Sequence, residues 1–249
     1  GTVTLAPSGS SVLTVNGGLA VPGGCALSGG VGLELTLNGT GTVDGRLEIG
    51  AKLTNSGSLA VGGTFQINDG GWASGNGFVY GTAGTLVFHN SSGPYGVNYG
   101  DPYWPDVSGP VHVTVLGGGG GGGGGVALNV DRAVTGTFRT GAEVRNAERL
   151  TLSGTCQLDA GGWFASSPVY SGEATLVYAT GGNYNVGNEW TLGTDVGPGV
   201  PKNVTVQTSD AVMPGAARRC PGDVTISGGS LTLNWDFAVG GDWSRVGGA

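Results

Sequence analysis

One short pattern recurs along the chain and limits what it can fold into: alternating apolar residues, a glycine pair, then a tryptophan. It occurs as LAVGGTFQINDGGW ending at Trp72, LTLSGTCQLDAGGW ending at Trp163, and LTLNWDFAVGGDW ending at Trp243. A period of two is the signature of a strand with one buried face, and self-similar segments mark a repeat architecture. Of 249 residues 55 are glycine, about three times ordinary usage, yet the strict third-residue period of collagen is missing. Glycines interrupt nearly every window of ten residues, and each costs a helix about 1 kcal/mol relative to alanine. With 38% hydrophobic residues, many of them Val and Leu in alternation, the chain is expected to fold as β structure throughout.

Three related segments emerge, 1–72, 73–163 and 164–243, with 244–249 leading toward a further segment or a neighbouring copy. Leu86-Val87-Phe88 matches Leu176-Val177-Tyr178, Tyr95 matches Tyr184, Trp104 matches Trp190, and Val113-Thr114-Val115 matches Val204-Thr205-Val206. PGGCALSGG at 22–30 aligns without gaps on PGDVTISGG at 221–229. Short strands separated by Gly, Asn and Ser turns every few residues suit one elongated repeat domain. The glycine run Gly117–Gly125 reads as a flexible linker with no function of its own.

These motifs, a GTVTF-like strand, an aromatic loop, NVTV, ISGG-LTL and GGDW, resemble those of the repetitive secreted and cell-surface β-solenoid proteins of bacteria. The resemblance covers nearly the whole chain and implies export, repeat architecture, and a role in adhesion or surface fibres. It fixes no ligand. The expected fold is an all-β, right-handed parallel β-helix of three related units; the alternative is a Greek-key β-sandwich, should the aromatic loops join two sheets. Leu33, Leu35 and Leu37 are expected on one buried face, as are Leu231, Leu233, Trp235, Phe237 and Val239 in LTLNWDFAV.

Only 11% of residues are charged, 17 acidic against 10 basic, for a net charge of -7. No basic stripe can neutralise phosphates, which disfavours nucleic acid, and no apolar stretch reaches membrane-spanning length. Catalysis has little support: the acids are scattered, Lys52 and Lys202 are the two lysines, and His89 and His112 have no GxSxG serine elbow beside them. Cys25, Cys156 and Cys220 form neither a disulfide framework nor a zinc pattern. Cys156 stands where the first segment has Phe65 and is expected to be a buried apolar thiol; Cys25 and Cys220 belong to related segments and can be paired or free.

The candidate binding residues are the rings of the two inserts, Tyr95, Tyr99, Tyr103 and Trp104, and Tyr184 and Trp190. Rings among Gly, Asn, Asp and Pro can stack on sugars or on a protein partner; the competing expectation is that they fold back over the core. Asp101, Asp106, Glu189 and Asp195 near these loops offer calcium weak support, since their spacing fits no calcium motif. Trp72, Trp163 and Trp243 are expected to pack at coil corners. The C-terminus asks for a strand like Gly1-Thr2-Val3-Thr4-Leu5, so these five residues are expected to form an interface for head-to-tail self-association. The expected role is therefore an extracellular structural protein, a subunit of a fibre, sheath or adhesin stalk; the alternative is a carbohydrate-binding module using the aromatic loops on surface glycans.

Overall fold

A computed structural model describes residues 1–5, 9–117 and 123–246. The chain is an all-β parallel solenoid of about 12 turns. Every strand ladder among the described residues is parallel, apart from two isolated antiparallel bridges. A Greek-key sandwich, which is built of antiparallel ladders, is thereby excluded. One 3-10 turn, Ala147–Arg149, is the helical element among the described residues.

Two compact units divide the chain, Gly1–Gly124 and Gly125–Ala249. In the first, each coil runs through up to three strands. The first face stacks Thr2–Leu5, Ala26–Gly29, Arg46–Ile49, Thr64–Asn68, Thr85–Asn90 and His112–Gly117 in order. The second face stacks Ser11–Val15, Leu33–Leu37, Lys52–Asn55 and Trp72–Gly75. The third stacks Leu19–Val21, Thr40–Val43, Ser58–Val61 and Val79–Tyr80.

Parallel stacking places the same strand position in successive coils directly above itself, so inward residues form columns. Leu27, Leu47, Phe65, Leu86 and Val113 make one such column on the first face. From Leu47 onward its members are essentially without exposed surface, and each such side chain contributes roughly 1.5–3 kcal/mol by leaving water. Leu33, Leu35 and Leu37 are buried as expected. Corners impose a different demand. A Cβ at Gly57 would stand 1.8 Å from the carbonyl oxygen of Gly39, and one at Gly39 would stand 1.9 Å from that of Gly17. This column of glycines is what lets backbone pass over backbone at that corner.

The second unit repeats the plan and then modifies it. Thr137–Thr140, Thr155–Asp159, Thr175–Ala179 and Asn203–Pro214 stack on the first face, followed by Val224–Leu231 and Trp243–Arg245. Arg132–Val134, Leu150–Leu152 and Val169–Tyr170 form a further ladder, and Arg218–Cys220 pairs with Phe237–Val239. LTLNWDFAV is not the single strand that its alternation suggested. The strand Val224–Leu231 ends inside it, the next strand begins at Phe237, and Leu233 and Trp235 are 40% and 60% exposed. The chain turns a corner between two ladders there, and a period counted through a corner no longer reports one face.

The structural repeat is the single coil. Its length runs from 18 residues between Arg46 and Thr64 to 28 between Thr175 and Asn203, so each sequence segment gathers several coils. The three sites of a glycine pair and a tryptophan are not all equivalent either. Trp72 and Trp163 each follow a first-face strand round a corner, and pair with Lys52 and Glu143. Trp243 instead opens a first-face strand and pairs with Val224.

Candidate functional site

The two aromatic inserts occupy matched places, and each takes over one face of its coil. After Thr85–Asn90 and Tyr95–Val97, the first insert runs beside Val79–Tyr80: Phe78 N–H donates to Pro102 O at 2.9 Å and Tyr80 N–H to Ser108 O at 2.9 Å. After Thr175–Ala179 and Tyr184–Val186, the second runs beside Val169–Tyr170, where Tyr170 N–H donates to Gly197 O at 3.1 Å. The rings of a loop in that place must close the core that the missing strand would have covered. Trp104 is 1% exposed, Tyr103 2% and Trp190 0%.

A second pair of tyrosines fixes the inserts. Tyr80 donates its hydroxyl to the backbone oxygen of Tyr103 at 2.7 Å, and Tyr170 donates to that of Glu189 at 2.9 Å, in each case just before the buried tryptophan. Sequence reasoning missed these two residues. Their signal is the shared frame VYGTAGTLVF against VYSGEATLVY, in which each tyrosine opens the stretch before the insert.

Inside the pockets the polarity is exchanged. In the first unit Phe88 meets Tyr95, Tyr103 and Trp104 at centroid distances of 5.3, 6.0 and 6.1 Å. The Tyr103 hydroxyl donates to Gly96 O at 3.1 Å and to the Asp101 carboxylate. In the second unit Tyr178 stands in the place of Phe88, and Glu189 in that of Tyr103. Tyr178 donates to Glu189 Oε1 at 3.2 Å, and Gly187 N–H donates to the same oxygen at 2.9 Å. Oε2 is buried without a hydrogen-bond partner. Desolvation holds this carboxyl above its ordinary range, opposed by its hydrogen bonds and, more weakly, by Arg218. Burial likewise pushes the Tyr178 and Tyr184 hydroxyls up.

The proposed contact surface is therefore smaller than the sequence suggested. Tyr103, Trp104 and Trp190 are core residues and present no ring to a ligand in this fold; Tyr95 and Tyr184 are half-buried against Phe88 and Tyr178. Tyr99 alone of the six is free, at 85% exposed. The loop carboxylates do not converge on a cation. Glu189 is buried, Asp101 accepts from Asn98 N–H at 2.6 Å and from Tyr103, and Asp195 accepts from Thr194 at 3.1 Å. Among the described residues no group of three or more potential metal ligands exists.

The thiols are all free. Cys156 lies in the first-face column between Phe138 and Leu176 with no exposed surface, as expected of an apolar thiol, and burial pushes it up to about 12. Cys220 donates to the oxygens of Lys202 and Asp223 at 3.3 Å, and burial pushes it up to about 11.

Among the described residues, the strands Thr2–Leu5 and Trp243–Arg245 each have a neighbour on one side. Ala26 N–H donates to Gly1 O and Gly30 N–H to Leu5 O, both at 3.0 Å. In a parallel ladder alternate residues address opposite neighbours, so the backbone groups of Thr2 and Thr4 face away from the next coil, and Val3 is 58% exposed. In the strand Trp243–Arg245, Val224 N–H donates to Asp242 O and Val246 N–H to Ile226 O, both at 2.9 Å, which turns the backbone groups of Trp243 and Arg245 away from Val224–Leu231. Gly248 and Ala249, expected to lead into the next strand, lie outside the described residues, as do 118–122 of the glycine run.

Trp72, Trp163 and Trp243 are 46%, 45% and 47% exposed. Each opens a strand, with its ring outside the core. Trp243 rests edge-on against Phe237 at 5.6 Å, and the Lys52 ammonium lies 5.0 Å from the centroid of the Trp72 ring.

Compared with protein-family models, curated proteins and solved structures, the chain matches none. What holds is the solenoid itself.

Proposed function

We propose that the chain is a structural β-solenoid of an extracellular fibre, sheath or adhesin stalk, working by coil stacking and by strand addition at its outer edges. The observation that carries this reading is the parallel stacking of first-face strands. Thr2–Leu5 and Trp243–Arg245 are first-face strands parallel to their ladders, and among the described residues each has a partner strand on one side. Such an edge templates another strand of the same kind. The low charge content and the polar Thr, Ser and Asn surface suit an exported protein, as does the resemblance to bacterial surface solenoids.

The residue 1–249 chain should form linear particles whose length grows with concentration, seen by electron microscopy and sedimentation velocity. Thr4→Pro removes one outward N–H donor while leaving the bonds to Ala26–Gly29 in place. That variant should remain monomeric with an unchanged far-ultraviolet circular dichroism spectrum. Monodisperse wild-type monomers at all concentrations, or Thr4→Pro assemblies as long as those of wild type, would overturn the reading.

A further inference from the structure

On the second face of the first unit, outward residues form the column Val12, Glu34, Lys52, Trp72. A groove of about 510 Å³ opens beside it, lined by Val31, Glu34, Lys52, Asp69 and Trp72 together with Gly50 and Gly70. Its size falls within the range of small-molecule sites, about 300–1,000 Å³. We infer that this groove binds a neutral saccharide chain, with the Trp72 ring as the stacking platform.

The chemistry of the lining selects that class. The Trp72 indole is flat, apolar and nearly half exposed, and the nearby Lys52 ammonium restrains its orientation. A solenoid strand does not need a tryptophan at an outward position, since an outward ring adds nothing to the buried columns. Donor and acceptor groups flank the ring. Lys52 supplies N–H donors, and the Glu34 carboxylate, which makes no hydrogen bond or ion pair among the described residues, supplies acceptors. Asp69 is already engaged: its oxygens accept from Ser91 N–H at 2.8 Å, Ser92 Oγ at 3.1 Å and the Ser91 hydroxyl. It lines the groove without a free oxygen to spare. A ligand matched to these groups has an apolar face for the ring and hydroxyls at its rim, as a pyranose does. One lysine between two carboxylates leaves no positive surplus, which disfavours a polyanion. Trp72 and Glu34 are two coils apart, roughly 10 Å, with Lys52 in the coil between them.

The second unit also carries an outward tryptophan in the same place after a glycine pair. Trp163 is 45% exposed, follows the same kind of corner, and pairs with Glu143, whose carboxylate bonds Arg145 at 2.8 Å. An outward ring with a charged cross-strand neighbour thus occurs twice.

Cellohexaose, xylohexaose, mannohexaose and chitohexaose serve as probes, with oligogalacturonate as the charged control, read by calorimetry and saturation-transfer NMR. At least one neutral probe should bind in the millimolar range or tighter. Trp72→Ala should weaken it at least about tenfold and Trp72→Phe less, with melting temperatures unchanged, and Glu34→Gln should weaken it moderately. Three results would overturn the inference: no neutral probe binding at millimolar concentration, equal binding by Trp72→Ala, or binding confined to oligogalacturonate. None of them bears on assembly, so the inference stands or falls apart from the proposed function.

Discussion

Glu189 combines complete burial with an ionisable group, and its energetics have a definite sign. Its native carboxyl is held above the ordinary value of 4.5 because burial penalises the charged form. The folded chain thus holds this proton more tightly than the unfolded chain does. The associated stability is fully present below about pH 4.5 and is lost as pH rises through the native value. Glu189→Gln keeps an acceptor for Tyr178 and Gly187 but carries no charge. In thermal melts from about pH 4 to about pH 9 the wild type should lose stability toward alkaline pH more steeply than the variant. Glu189→Gln should then overtake it at the alkaline end, by roughly 2–4 °C for each kcal/mol recovered. A parallel pair of curves would assign the slope to other groups. The exchange of Phe88 and Tyr103 for Tyr178 and Glu189 supplies the hydroxyl from the strand in one insert and from the loop in the other. Each residue could be read from the sequence, but the fact that they share a pocket could not, because only stacking brings the strand and loop positions together.

The inserts behave as substitutes for strands. Tyr80 and Tyr170 anchor each loop by a hydroxyl and a backbone amide, and the buried tryptophan closes the core beneath. Trp104→Ala should therefore cost about 3–5 kcal/mol in denaturant unfolding, whereas Tyr99→Ala, at the exposed tip, should change stability by less than about 0.5 kcal/mol. Equal effects at the two positions would contradict this division. The matched aromatics were visible in the sequence, and so was the choice between exposed and folded-back rings. Local composition could not decide it: Pro, Gly and Asp mark a loop equally well over solvent or over a core. What decides is that the loop replaces a face. Asn90, in an Asn-Ser-Ser acceptor motif for glycosylation, shows the same limit, since it is 5% exposed at the end of Thr85–Asn90 and unavailable as folded. The strands and their alternation were legible throughout, and failed where LTLNWDFAV turns a corner.

For the molecule as a whole, stability is expected to be graded, because a coil with neighbours on both sides is buried twice and an end coil once. Along the inward first-face column of the first unit, Val3 is 58% exposed, Leu27 half-buried, and Leu47 and Phe65 buried. The thiols sample the gradient. Cys25 is half-buried, Cys220 lies near the last coils, and Cys156 is fully enclosed with its pKa pushed up to about 12. Under native conditions a thiol-exchange reagent at mildly alkaline pH should modify Cys25 first, Cys220 more slowly and Cys156 last, with all three reacting at once in denaturant. Mass spectrometry of timed samples gives the order, and early modification of Cys156 would show that the middle coils open as readily as the ends.

Coil length carries a further consequence. Arg46 to Thr64 takes 18 residues and Thr85 to His112 takes 27, yet both advance the first-face ladder by one strand. Chain length and ladder height are separate variables. Residues inserted into an arc enlarge the polypeptide without adding a rung, and only a duplicated or deleted coil changes the number of rungs. A lineage of such proteins can therefore revise what its arcs display while the spacing of its ladder stays fixed.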